Sequence, residues 1–234
     1  MSGFVQYGAN GSGTNDVQSL IVSLATLATT GNTILVASTG GGKATFVGDN
    51  KGNVYNVVAS VNAFFGSGSS VWMAYNITGG FVGITATYAN AFNPAGLIAQ
   101  EFTGTGATNP IDLKYAQSTD QSSSATPFMS AGSATATANE IIVPFCFTAS
   151  GVADPLSGIS SPYTNPVSTG ALDATSGSIG SGSNVVSAIV TAVATFSFST
   201  PRTWFGGIFS LELAGAPPPT TITPHLMSSM GIGQ

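Results

Sequence analysis

The chain has 234 residues, and only 6% of them are Asp, Glu, Lys or Arg, against ~25% in ordinary soluble domains. Nine acids against four bases give a net charge of −5, with no basic stripe to neutralise phosphates, so nucleic acid is not an expected partner. The scarce side chains are also the tools of catalysis, metal binding and phosphate recognition, so the composition argues against an enzyme and implies no cofactor and no metal. A hydrophobic content of 43% is enough for a sizeable core. Cys146, the single cysteine, excludes an internal disulfide and a thiolate cluster. Met1-Ser2-Gly3-Phe4 lacks the basic and apolar regions of a signal peptide, and no apolar run reaches the ~18 residues of a membrane span. Synthesis and folding in a cytoplasm are expected, with no membrane partner.

In chain order, the first periodic segment is Val17–Ala28. Val17, Leu20, Ile21, Leu24, Leu27 and Ala28 also fit a helical stripe, but Ser19, Ser23 and Thr26 are poor helix formers and the neighbours read as strands, so a strand is expected. Thr33–Ser38 is the next strand. Ala44–Val47 and Val54–Val61 flank Asp49-Asn50-Lys51-Gly52-Asn53, which predicts a hairpin. Period-two alternation over Val71–Ile77, a Thr78-Gly79-Gly80 turn and a second alternating run at Val82–Tyr88 predict another. Tyr75 and Tyr88 fall on its core face and Trp72 on the opposite one. Leu97–Phe102 and Ile141–Phe147 follow. Pro144 cannot donate a ladder hydrogen bond and places its strand at an edge or bulge. Residues 148–184, rich in Gly, Ser, Thr, Pro and Asp, read as a long loop or excursion. Val185–Phe198 reads as a strand or a broken pair, and in the last strand Phe205, Gly207, Phe209, Leu211 and Leu213 share one face, opposite Ser210 and Glu212.

These elements define an all-β protein: an antiparallel β-sandwich over residues 1–214, with an extended C-terminal arm over 215–234. Pro217, Pro218 and Pro219 stiffen the start of the arm. Ile222, Leu226, Met227, Met230 and Ile232 are too apolar for a solvated spacer, so the arm is expected to dock on a partner.

Conventional reaction chemistry finds little support. Gly40-Gly41-Gly42-Lys43-Ala44 lacks the hydroxyl that a phosphate-binding loop needs after its lysine. His225 is the only histidine and lies in the arm, which leaves a serine triad without a base. Glu101, Asp112, Glu140 and Glu212 are the acids nearest strands, and solvated edge positions are expected for them. Asp49 to Asn53 holds one carboxylate beside a lysine, which suits a turn better than a calcium site. Trp72 and Trp204, with the loop tyrosine Tyr163, are candidates for stacking on sugar rings, although a second sheet or a neighbouring subunit could cover Trp72 and burial against protein is the favoured reading.

The order Gly31-Asn32-Thr33-Ile34-Leu35-Val36, Asp49-Asn50-Lys51-Gly52-Asn53-Val54-Tyr55 and Val71-Trp72-Met73-Ala74-Tyr75-Asn76-Ile77 resembles a Gly/Thr-rich β-sandwich domain of phage and bacterial proteins. Ala99-Gln100-Glu101-Phe102 and Ala138-Asn139-Glu140-Ile141-Ile142-Val143 continue the likeness, which covers residues 18–150 and the closing strand. Met73 stands where the family has an aromatic. The resemblance implies a jelly-roll-like sandwich with no catalytic residues to transfer. Neutral, hydroxyl-rich sandwiches of this kind are similar to the capsid decoration, or cement, proteins and fibre heads of tailed phages. The expectation is a non-enzymatic, oligomeric virion protein contacting the major capsid protein or other virion subunits, with a carbohydrate-binding adhesive module such as a tail-fibre tip as the alternative. The arm, and the N-terminal segment Ser2–Gly13, would clamp a neighbour.

Overall fold

A computed structural model describes residues 3–12, 17–40, 43–62, 68–92, 95–117, 124–136, 139–148, 157–169, 178–201 and 203–214. They form sixteen strands: β1 (Gly3–Ser12), β2 (Val17–Ser23), β3 (Thr33–Gly40), β4 (Ala44–Asp49), β5 (Asn56–Asn62), β6 (Gly68–Ala74), β7 (Gly83–Phe92), β8 (Ala95–Thr103), β9 (Ile111–Gln117), β10 (Phe128–Ala136), β11 (Glu140–Thr148), β12 (Gly158–Ile159), β13 (Thr164–Ser168), β14 (Ile179–Val186), β15 (Val190–Ser197) and β16 (Trp204–Glu212). The all-β antiparallel sandwich expected from the alternation is present. Among the described residues no helix is long and apolar enough to cross a membrane.

The sandwich has four layers. Two five-stranded inner sheets, ordered β1-β8-β3-β6-β5 and β13-β14-β11-β16-β9, are each flanked by a three-stranded outer sheet, β2-β7-β4 and β10-β15-β12. Adding eight to each strand number of the first half reproduces the order of the second. The chain is therefore two topologically equivalent eight-stranded halves. In each half the first strand lies beside the eighth and the third beside the sixth, with the fifth at the far edge of the inner sheet. β1 lies against β13 and β5 against β9, as a two-fold relation between the halves requires.

Alternation along the inner strands feeds two cores at once. Ile34 and Val36 on β3 face the first outer sheet, while Leu35 and Ala37 face the second inner sheet. On β11, Val143, Phe145 and Phe147 enter the central core, and Ile142 and Cys146 the third. Every residue of β3 and β11 is buried. The central core is aromatic on the side of the second half: Phe147 stacks on Phe205 with centroids 5.2 Å apart, and Phe145 meets Phe209 edge-on at 5.9 Å. Among the described residues a polar contact crosses it. The Ser181 hydroxyl lies 2.8 Å from both Gln100 Oε1 and the Pro144 carbonyl. With a single proton it serves one of them, and with the Gln100 amide turned over Gln100 donates to Ser181 and Ser181 to Pro144.

The structure corrects several expectations. Neither hairpin forms, because β4 and β7 lie in an outer sheet whereas β5 and β6 lie in the adjacent inner one. The Asp49–Asn53 and Thr78–Gly80 turns are crossings between layers. They are held beside a third crossing, 24–32, by an Ala28–Gly80 bridge with both bonds at 2.8 Å and by Asn53 Oδ1 accepting from Thr78 N at 2.7 Å. A Cβ at Gly79 would strike the Ala28 carbonyl. Pro144 sits in the central strand of its sheet, opposite Ile208 on β16, and tolerates that place because the ladder to β14 skips Val143 and Pro144. Residues 148–184 are not one loop, since β12, β13 and the start of β14 lie within them and bury Tyr163, Val167 and Ile179. Val185–Phe198 takes the broken form of its two expected readings, as the end of β14 and β15. β9 has no counterpart among the expected strands, nor do β1 and β10, which are rich in Gly, Ser and Ala.

Gly206 marks a tight point between layers: a Cβ there would collide with the Met129 sulfur and the Phe145 carbonyl. Gly206→Ala is expected to destabilise by about 1–3 kcal/mol, as overpacking does, read from urea denaturation. An unchanged midpoint would show that the two layers are not pressed together there.

Candidate functional site

The aromatic candidates are covered. Trp72 is half-buried against the first core, its indole N–H donating to Ser70 Oγ at 2.8 Å. It lies opposite Val71 and Met73, as alternation predicts, but its face meets the outer sheet rather than solvent. Trp204 and Tyr163 are 4% and 8% exposed and belong to the third core, so neither offers a ring face to a sugar. Tyr88 is buried as expected and Tyr75 only partly. Pro217, Pro218, Pro219, Ile222, Leu226, Met227, Met230, Ile232 and His225 lie outside the described residues. Cys146 is fully buried, and burial pushes its thiol well above the ordinary range, so it does not serve as a nucleophile.

Burial also pushes the Tyr163 phenol up, to about 12, from ~10 in an unfolded chain. The folded state therefore holds this proton more tightly. The associated stability is complete below pH ~10 and is lost as pH rises through about 12. Tyr163→Phe should lessen the fall in urea midpoint between pH 9 and 11.5. An identical fall in both proteins would show that Tyr163 ionises freely in the fold.

Asp112 is exposed on the edge strand β9, as the sequence suggests, and Glu212 is half-buried, but two of the acids are not solvated edge groups. Glu101 and Glu140 are fully buried, because the outer faces of the inner sheets carry further layers. Glu101 Oε1 accepts from Thr29 N at 2.8 Å and Asn32 Nδ2 at 2.6 Å, while Oε2 accepts from Gln6 Nε2. Gln6 Oε1 in turn accepts from Thr26 N and Oγ1. Asp49 is similarly occupied by Lys51 N, Asn53 N, Asn53 Nδ2 and the Tyr55 hydroxyl. Burial first, and the Asp49 charge second, raise the Tyr55 phenol. Both carboxylates tie loops to strands.

In the second half, Asp112, Glu140 and Glu212 bring carboxylate oxygens within 4.8 Å of one another. Glu212 is the counterpart of Glu101: Gly96-Leu97-Ile98-Ala99-Gln100-Glu101-Phe102 and Gly207-Ile208-Phe209-Ser210-Leu211-Glu212-Leu213 occupy equivalent strands. Where the first half supplies the amides Gln6 and Asn32, the second supplies Asp112 on β9 and Glu140 at the start of β11. These are the described residues best placed to hold a hard cation. Neither of the grooves that run along the inner-sheet edges is lined by them.

Glu101→Ala would orphan two buried donors, Gln6 Nε2 and Asn32 Nδ2, at ~1–3 kcal/mol each, and the part-buried Thr29 N–H besides. We expect a loss of about 3 kcal/mol or more in urea denaturation, and a smaller one for Glu101→Gln, which keeps an acceptor. Equal stability of Glu101→Ala and the unaltered protein would remove this role.

The remaining feature is the set of sheet edges. β9 carries Asp112 and Lys114 and β13 carries Pro166, residues that discourage edge-to-edge pairing. Their counterparts in the first half, β1 and β5, have no charge and no proline over ten and seven residues. β1 pairs with β8 alone among the described residues, with a bulge at Val5, and exposes Val5 and Tyr7 by 41% and 44%. A groove of about 690 Å³ follows it, lined by Phe4 to Ala9, by Ser23 and Ala25 beyond β2, and by Ser168 and Thr169 at β13. The matching groove between β5 and β9 is about 230 Å³. The bulge hides β1 from sequence, since it breaks the period across Phe4-Val5-Gln6-Tyr7. Comparison with protein-family models, curated proteins and solved structures finds no match.

Proposed function

We propose that this protein is a non-enzymatic structural component of a phage virion, a capsid decoration or cement protein that binds neighbouring subunits through its sandwich edges and its C-terminal arm. The observation that carries the reading is the asymmetry of the inner-sheet edges: the second half places charges or a proline on the two edge strands of its inner sheet, and the first leaves the corresponding β1 and β5 uncharged. A chain that guards one pair of edges and not the other keeps the unguarded pair for contact. Two further features agree with it. The sequence resembles phage sandwich domains, and a surface with so few charges lets many identical copies approach with little mutual repulsion. In this reading the protein is made in the host cytoplasm and works in the virion as an oligomer, its partner the major capsid protein or another virion subunit. Many weak contacts repeated over a shell add up to avidity.

The test is sedimentation with assembled shells. The full chain should pellet with them at a fixed stoichiometry. A variant lacking residues 216–234 should keep its circular dichroism spectrum and lose at least tenfold in shell binding. Absence of the full chain from shells would reject the virion reading. Undiminished binding of the truncated chain would reject a role for the arm.

A further inference from the structure

We propose that the groove along β1 is the docking site for the C-terminal arm of a second copy, whose residues 220–232 add to the first inner sheet as an antiparallel strand. This rests on the reading of the arm as a binding segment and names its receptor.

The receptor is built for a strand. β1 is ten residues long, uncharged and unpaired along one edge among the described residues, and a strand's free edge offers a row of backbone donors and acceptors. At about 690 Å³ the groove beside it is the larger of the two edge grooves and falls within the ~300–1,000 Å³ of ligand clefts. Its lining mixes Phe4, Val5, Tyr7, Ala9 and Ala25 with the polar Gln6, Ser23, Ser168 and Thr169 and carries no charge, which suits an uncharged occupant whose apolar and hydroxyl side chains are interspersed.

The arm fits that description. Residues 215–234 contain no Asp, Glu, Lys or Arg. In an extended chain side chains alternate between faces, which puts Ile222, Pro224, Leu226, Met230 and Ile232 on one side. Pro224 lacks an N–H, a gap that an edge strand tolerates.

Direction selects the second copy. The described chain ends at Ala214, whose N–H donates to the Gly104 carbonyl at 2.7 Å, one residue past the Thr103–Gly3 pair. The arm thus departs at the start of β1. All strand pairs described in this protein are antiparallel, and an antiparallel partner must enter at the other end, beside Ser12. That end is roughly 33 Å away at ~3.3 Å per residue. Its own arm would consume about ten residues in getting there, leaving Ile222 outside the groove. An arm arriving from a neighbour has no such detour.

The experiment uses the purified full chain. Tyr7→Cys is labelled with benzophenone maleimide, Cys146 being buried, and Val5→Cys is a second probe position should the first fail to fold. Equal amounts of ¹⁵N-labelled and unlabelled chain are mixed and irradiated, and cross-linked peptides are mapped by mass spectrometry. Cross-links should join labelled to unlabelled chains and fall within residues 220–232. They should drop at least tenfold in Ile222→Asp/Leu226→Asp or when an excess of a synthetic 215–234 peptide is added. Cross-links confined to single chains, cross-links elsewhere, or none from a folded labelled protein would each overturn the proposal. No shell is needed. A protein that cross-links as stated but never pellets with shells removes the virion reading alone, and one that pellets through its arm but cross-links elsewhere removes this inference alone.

Discussion

The architecture depends on burying both faces of two five-stranded sheets. An antiparallel sheet ordinarily keeps one face wet and places its charges there. Here neither inner sheet has such a face, and β3, β8, β11 and β16 are buried almost end to end. Both sides of these strands must be apolar, small or internally hydrogen-bonded, and the residues meeting that demand are the aliphatics, glycines and hydroxyls that dominate the chain. The low charge noted at the outset is in large part a consequence of this layering. Ser38 bonded to Ser70 and Thr33 to Thr105 show the solution at points where an aliphatic is absent.

The same constraint explains the few buried acids. A carboxylate within such a stack is stable only with several donors, and Glu101 finds them in Gln6, Asn32 and the Thr29 backbone. Its counterpart Glu212 stands with Asp112 and Glu140 instead. The two halves thus share a topology and differ in how they satisfy one locus, as they differ at the edges of their inner sheets.

Much of the fold was legible because alternation survives in the strands that feed two cores. β3, β6, β8, β11 and β16 all lie where the apolar runs predict. The partners of those strands were less so. A turn such as Thr78-Gly79-Gly80 specifies that the chain reverses, not whether it returns to the same sheet, and here it changes layer. β10 and β12 are short of large apolar residues because an outer strand buries one face only. Pro144 misled because its missing N–H coincides with a gap in the ladder that only coordinates reveal. The covered state of Trp72, Trp204 and Tyr163 follows from the number of layers, which alternation does not encode. The repeated Gly-Leu-Ile-Ala-Gln-Glu and Gly-Ile-Phe-Ser-Leu-Glu stretches were the one clue to it in the sequence.

The two-fold relation between the halves carries a last consequence. Two separate identical chains meeting across the central core would present the same rim at both ends, and any contact made at one would be duplicated at the other. Fusing them into one polypeptide lets the rims differ, so the molecule acquires a head and a tail. An object with unlike ends can be laid down in one orientation, and rows of it can all face the same way.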